Sequence, residues 1–312
     1  MDTLLDDLKN FGHARTNVSM ARYNTFKIGG PARYFVEITE TEKLIDILNY
    51  LSDQGIEFFV LGSGSNILFK DEEYDGVVVQ VKTTKMECAD NKIYADAGAQ
   101  FGMAVNISVK NSLTGLEWAI GIPGTLGGAV RGNAGAMGQD IAHNLVSTTI
   151  WRNGEVLTLT PAECGFVYRG SILKEQNDIV LSSVLQLAPG DKQIIVGTMQ
   201  EYLKQRTGRY PAFPSAGSFF KNINVKDWPG DISLLPEIFI QRKKIPVGWC
   251  VEQVEMKGFA IGGARVSNEH GNFIINYENA TQNDVLKVVE AVQSRVYNKF
   301  KIALDPEVDI IR

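Results

Sequence analysis

The stretch GLEWAIGIPGTLGGAVRGNAGAMG, residues 115 to 138, carries eight glycines, at 115, 121, 124, 127, 128, 132, 135 and 138. Glycine at that density costs backbone entropy. It is useful where the chain must take positive φ or approach a ligand closely, with its N–H groups free to hold phosphate oxygens. A loose surface loop is the competing reading, but the interleaved Ile120, Ile122, Leu126, Ala129 and Val130 favour a packed segment. A second glycine turn lies in VLGSGSNILF, residues 60 to 69, after the strand-like EFFVL. It leads from strand to strand instead of opening a helix, and Ile67 stands where a dinucleotide fingerprint requires its third glycine. The turn is therefore not a Rossmann motif.

Outward from these turns, YFVEI from Tyr34 reads as a strand. TETEKLIDILNYLSDQG follows as a helix, with Thr39 and Glu42 at capping-box spacing and Leu44, Leu48 and Leu51 on one face. Residues 77 to 99 read as strands (GVVVQV, KIYADAG), FGMAVNISVKNSL as a helix, Val146 to Leu187 as strand-rich, and QIIVGTMQEYLKQR as a helix. The proline-bearing RTGRYPAFPS reads as a connection into a new domain. Beyond it, GSFFKNINV and GFAIGGARVS read as strands, and NDVLKVVEAVQSRVYNKF places valines 285, 288, 289, 292 and 296 along one helical face. The tail LDPEVDII alternates, with Val308 and Ile310 facing one way and Glu307 and Asp309 the other.

The 312 residues suffice for about two domains, and 44% apolar with 21% charged residues is the balance of a folded globular chain. A net charge of −5 without a basic block argues against nucleic-acid or anionic-membrane binding. Cys88, Cys164 and Cys250 are scattered, without CxxC or histidine at ligand spacing, so neither a disulfide framework nor a metal site is expected. The acidic MDTLLDDLKNFG start and the lack of a long apolar run predict a cytoplasmic protein.

Taken in order, YNTFKIGGPARYFVEI (23 to 38), VLGSGSNILF, the 115 to 138 stretch, YRGS (168 to 171), PSAGSFFKN (214 to 222) and PEV (306 to 308) resemble the UDP-N-acetylenolpyruvoylglucosamine reductase family. The resemblance runs from about Asn17 to the C-terminus. It implies an α+β protein: a two-lobed FAD-binding fold of the PCMH or vanillyl-alcohol-oxidase type, with an α+β substrate-binding domain. The implied division is 1–75 and 76–207 for the flavin lobes, 208–300 for the substrate domain, and 301–312 for a strand returning to the active site.

The family's chemistry is reduction of an enolpyruvyl nucleotide-sugar by noncovalent FAD, with NADPH as electron donor. Hydride arriving at an enol ether conjugated to a carboxylate leaves negative charge that must be dispersed and then protonated at carbon. By resemblance Arg169 is the catalytic arginine, a fork suited to a carboxylate. Ser218 is the proton donor and Glu307 assists beside the arginine. Read alone, the three would be a surface ion pair, a turn serine and an exposed edge acid. The resemblance places the flavin at Tyr23, Asn24, Thr25, Gly29 and Gly30; at Leu61, Gly62, Ser63, Gly64, Ser65 and Asn66; and at Gly98 and Ala99. It continues at Gly121, Ile122, Pro123, Gly124, Gly127, Gly128, Asn133, Gly135 and Ala136. Tyr168, Arg206, Arg209, Asn222 and Gln253 are the implied substrate contacts.

Asp309 stands where the family commonly has arginine, two positions beyond the glutamate. Its loss of charge would weaken anion binding, whereas a second carboxylate would favour protonated Glu307. The tyrosine-bearing insertion of one subtype is absent, yet residues 227 to 248 exceed the short connection of the other, so the subtype is mixed. Histidines 13, 143 and 270 fall outside the glycine loops, leaving no candidate for a histidine-linked flavin. The chain is expected to act as a monomer or weak oligomer. Two rival readings are another flavin oxidoreductase of this fold, acting on a hydroxy acid or sugar, and a non-catalytic nucleotide-sugar-binding relative.

Overall fold

A computed structural model describes residues 2 to 208 and 210 to 312, so Arg209 lies outside the described residues. The chain forms two compact units, each discontinuous in sequence. The first comprises the residues up to Val18, Ala32–Ser63 and Tyr74–Thr207; the second comprises Ser19–Pro31, Gly64–Glu73 and Gly208–Arg312.

In the first unit, strands Pro31–Ile38, Tyr74–Val81 and Phe58–Leu61 pair in parallel, with His13–Ser19 at the outer edge of Pro31–Ile38. Parallel strands need a crossover, and helix Thr41–Asp53 carries the chain from Pro31–Ile38 to Phe58–Leu61, the two strands that flank Tyr74–Val81. Its Leu44, Ile47, Leu48 and Leu51 are fully buried in one core with Val77 and Val79 of the central strand. The expected Thr39–Glu42 capping box does not form. Glu40, extended and making no side-chain cap bond, occupies the cap position, which leaves Thr39 outside the helix and puts Glu42 one place too early.

Five antiparallel strands follow in the order Glu155–Leu159, Leu145–Arg152, Ile179–Gln186, Lys92–Asp96, Met86–Ala89. Met86–Ala89 falls within the 77 to 99 stretch that reads as strands, outside the two strings GVVVQV and KIYADAG. It forms a hairpin with Lys92–Asp96 through Asp90 and Asn91, both at positive φ (50° and 59°), the conformation that two-residue hairpin turns require. Arg152 makes a two-pronged bond to the fully buried Asp178 at 2.7 and 2.6 Å, so this buried carboxylate is charge-paired.

In the second unit the long helix Gln282–Phe300 starts at a complete Thr281–Asp284 capping box, and its five valines are buried as expected. GFAIGGARVS is a hairpin, not one strand: Ala260–Ile261 pairs with Ala264–Val266 across Gly262 at φ 53°, and Ile274–Asn276 completes a small sheet. GSFFKNINV also departs from a continuous strand. It holds isolated bridges at Ser218 and Phe220 and a two-residue strand, Ile223–Asn224, paired with Lys244–Ile245. In the tail only Asp309–Ile310 is strand, parallel to Ile67–Leu68. Val308 is buried, but Ile310 is half-buried like Glu307 and Asp309, so the expected two-faced alternation is blunted. The mixed helix and strand content is the expected α+β class. Among the described residues no helix is long and apolar enough to cross a membrane.

Candidate active site

Within the first unit, three of the expected flavin segments converge. Helix Leu126–Arg131 begins behind Thr125, whose hydroxyl accepts from Gly128 N–H, and its first turn lies on residues 97 to 99. Leu126 N–H bonds Ala99 O at 2.8 Å, and Gly127 N–H bonds Ala97 O at 2.9 Å. A Cβ on Gly127 would stand 2.7 Å from Ala97 Cβ, and one on Gly98 2.6 Å from Thr83 O, so both glycines allow backbone to meet backbone. A Cβ on Gly62 would sit 2.6 Å from Thr125 Oγ1, and Gln100 Nε2 reaches Ser63 Oγ at 3.2 Å, which ties the first glycine turn to the same place.

The main-chain N–H groups of Gly62, Ser63 and Gly64 donate to no acceptor among the described residues. Successive undirected amides on a glycine turn are what a diphosphate needs. Beyond the turn, Gly121 and Gly124 take φ of 74° and 126°, and Phe101 N–H closes on Gly124 O, so the Ile122–Pro123 corner is fixed beside Ala119 O, which accepts from Ile122 N–H. Burial raises the Asp96 carboxyl above its usual range, although Lys85 N–H donates to it at 3.1 Å.

Arg169 is built into the same unit. Tyr168 and Arg169 form the tip of a tight turn in which Val167 and Gly170 exchange both main-chain bonds, at 3.0 and 3.2 Å. Arg169 itself has φ 58°, a region that a side chain occupies at a cost of order 1–3 kcal/mol and that clusters at functional sites. Its Nη2 donates to Gly135 O at 2.5 Å, its guanidinium lies 5.1 Å from the Tyr168 ring centre, and Asn133 Nδ2 holds Val167 O at 2.9 Å. Gly135 and Ala136 pair with Asp140 and Gln139 around a turn of Met137 and Gly138, both at positive φ. The end of the glycine-dense stretch thus serves the arginine, not the first glycine turn. Arg206 closes helix Lys192–Arg206 and donates to Trp118 O at 3.2 Å, beside Gly121.

In the second unit, Ser218 and Glu307 are neighbours by main-chain bonding. The strand-like run through Ser218 lies between Phe273 and Pro306: Phe219 N–H bonds Asn272 O at 2.7 Å, and Glu307 N–H bonds Phe219 O at 2.8 Å. Asn272, itself buried, pairs both of its amide ends with Phe220 main chain. Asn66, last residue of the glycine turn, grips the tail: its Nδ2 donates to Glu307 O at 3.0 Å and its carbonyl accepts from Asp309 N–H at 3.0 Å. The Ser218 hydroxyl makes no hydrogen bond among the described residues.

Other expected contacts have structural employment. Asn24 is buried, with its amide donating to Met20 O and Ile28 O, and it pins the 20–28 loop. Thr25 Oγ1 donates to Ser215 O at 2.7 Å, and Gly64 both takes φ 63° and leaves no room for a Cβ, which would stand 2.3 Å from Tyr23 O. Gly29 and Gly30 pack on Phe69 and Asp71, and Ser65 is half-buried. Asn222 Oδ1 accepts from Val247 N–H, capping helix Val247–Gln253, whereas exposed Gln253 ends it; seven residues put them about 10 Å apart along the axis. The structure therefore does not bring these two together.

Residues 32–160 match the family described as FAD binding domain, and residues 209–311 match the UDP-N-acetylenolpyruvoylglucosamine reductase C-terminal domain. UDP-N-acetylenolpyruvoylglucosamine reductase of Clostridium novyi is 36% identical over 98% of this chain and 95% of that one; the Caldanaerobacter subterraneus protein of the same name is 37% identical over 99% and 98%. The crystal structure of the reductase from Thermus caldophilus aligns with a TM-score of 0.77 at 29% identity, covering 96% of this chain and 98% of that one. With such identity spread over nearly its whole length, this chain belongs to the UDP-N-acetylenolpyruvoylglucosamine reductase family.

Proposed function

We propose that this protein is an FAD-containing, NADPH-dependent oxidoreductase that reduces UDP-N-acetylenolpyruvoylglucosamine to UDP-N-acetylmuramate, a step in making peptidoglycan precursors. The observation that carries the reading is the main-chain ladder joining Ser218 to Glu307 through Phe219, with the serine hydroxyl left uncommitted.

Noncovalent FAD fits the undirected amides of Gly62, Ser63 and Gly64 and the cradle at Gly62, which any Cβ would fill. When bound, FAD would supply the hydride chemistry between NADPH and the double bond. The chain's residues handle the accompanying charge. Arg169, fixed by Gly135 O and Tyr168, pairs with the substrate carboxylate and holds the negative charge that builds on it. Ser218 Oγ gives its proton to the adjoining carbon. A hydroxyl is a weak acid, but a carbanion conjugated to a carboxylate is a strong enough base to take that proton, and solvent restores it. Glu307, positioned by Asn66 and Phe219, assists the developing enolate.

Functionally, residues 1–75 and 76–207 serve the flavin, 208–300 the nucleotide-sugar, and 301–312 carry Glu307. Arg206, Arg209 and Tyr168 are assigned to the substrate, and the reaction to the cytoplasm. We assign no nucleic-acid or membrane partner and a monomeric or weakly associating state. The test is NADPH oxidation by the purified yellow protein. It should depend on the enolpyruvyl nucleotide and yield one product per NADPH, with colour released by acid. Oxidation indifferent to that nucleotide, or a protein that takes up no flavin, overturns the reading.

A further inference from the structure

Helix Leu126–Arg131 ends at Gly132, and Asn133 follows at φ 46°, the left-handed helix stop that glycine and asparagine adopt most readily. A helix stop needs only the backbone. The Asn133 side chain, however, is buried and bonded: Nδ2 donates to Val167 O at 2.9 Å and lies 3.5 Å from Asp140 Oδ2, while Oδ1 accepts from Ala142 N–H at 3.4 Å.

These partners stand on the two sides of the Arg169 contact. Val167 opens the turn that carries the arginine, and Asp140 is in register with Gly135, whose carbonyl accepts from Arg169 Nη2. One buried amide thus ties the backbone that bears the guanidinium to the hairpin that receives it. The other stem of the turn returns to the same place, because buried Ser171 donates from Oγ to Arg131 O at 2.6 Å. At the tip, Val167 and Tyr168 are 58% and 38% exposed, so packing of their side chains does not hold the turn. A backbone strained at φ 58° persists only where its surroundings over-determine it, and the two polar stems supply that constraint.

We propose that Asn133 and Ser171 are positioning residues for Arg169, clamping its turn to the end of helix Leu126–Arg131 so that the guanidinium meets a carboxylate in a preset orientation. The inference rests on the reading of Arg169 above and departs from the flavin contact expected of Asn133. The competing account is a clamp that stabilises the fold and nothing more, and double-mutant cycles separate the two. Asn133→Gly keeps the left-handed backbone and removes the amide, and Ser171→Ala removes only a hydroxyl. In the flavin-loaded full chain, each should lower kcat/KM for the enolpyruvyl nucleotide-sugar about tenfold, because a misplaced binding group forfeits its orientation. The loss should fall on flavin reoxidation, with flavin reduction by NADPH and FAD affinity unchanged. Added to Arg169→Gly, neither substitution should lower kcat/KM further, since the group it positions is already gone. Additive losses in the double variants, an unchanged kcat/KM in Ser171→Ala, or a fall in FAD affinity in Asn133→Gly overturns the proposal. An Arg169→Gly variant that keeps the parent's kcat/KM overturns the reading of Arg169 instead.

Discussion

The turn carrying Arg169 and the run carrying Ser218 hold the side chains proposed for the chemistry in opposite ways. Arg169 sits on strained backbone at φ 58°, and its guanidinium is fixed by Gly135 O and by the Tyr168 ring. Ser218 sits on relaxed extended backbone anchored on both sides, and its hydroxyl is left without a partner. A group that must bind a planar carboxylate gains from a preset orientation, because less entropy is lost when the bond forms. A group that must give up a proton and regain it gains from not being tied to a competing acceptor.

The sharpest way to break this contrast is Ser218→Ala. The main-chain ladder does not use the hydroxyl, so melting temperature should be unchanged and flavin reduction by NADPH nearly intact. Flavin reoxidation by the enolpyruvyl nucleotide should slow by about 10²–10⁴-fold. Stopped-flow measurement of both half-reactions decides it, and equal slowing of the two would point to a damaged flavin site instead. Next in size is Arg169→Gly. Glycine takes φ 58° without strain, so the protein should melt no lower than the parent, whereas kcat/KM for the nucleotide-sugar should drop by about 10²-fold, the worth of a paired charged hydrogen bond. A loss of stability without loss of kcat/KM would reverse the assignment.

The smallest effect concerns whether the Ser218 unit remains folded where proton transfer would be assayed. Burial in helix Val247–Gln253 pushes the Cys250 thiol up to about 12. The unfolded chain releases this proton near pH 9 and the folded chain does not. Stability from this group is therefore complete below about pH 9 and is lost as pH rises towards 12, by up to about 1.4 kcal/mol per pH unit. Urea midpoints of the parent should decline more steeply than those of Cys250→Ala between pH 9 and 10.5. Parallel declines would mean that the thiol is not shielded in the folded chain.

Much of this was legible in the residues. The valine stripe of Gln282–Phe300 predicted a buried helical face and the face is buried. The strand-to-strand course of the 62–66 turn was also visible, because Ile67 breaks the dinucleotide spacing. The division of labour among glycines was not. Gly98 and Gly127 are required by Thr83 and Ala97, partners distant in sequence, and nothing in local composition separates a glycine that packs on backbone from one that faces a ligand. Asn24 and Asn222, read as ligand contacts, also make loop and helix-start bonds that the sequence did not reveal, since a polar residue in a motif looks the same whichever it serves.

The second unit also sets an order on its own making. Its tail strand Asp309–Ile310 pairs with Ile67–Leu68, and Asp71 takes the first N–H groups of the long helix, from Gln282 at 2.8 Å and Asn283 at 3.2 Å. During synthesis, at roughly 5–20 residues per second, the Gly64–Glu73 segment leaves the ribosome many seconds before its partners exist. The first unit can complete at Thr207, but the second must wait for the final residues of the chain. A fragment beginning at Gly208 would lack half of that pairing, and a chain cut short by even its last four residues would release with Ile67 and Leu68 still waiting for a strand.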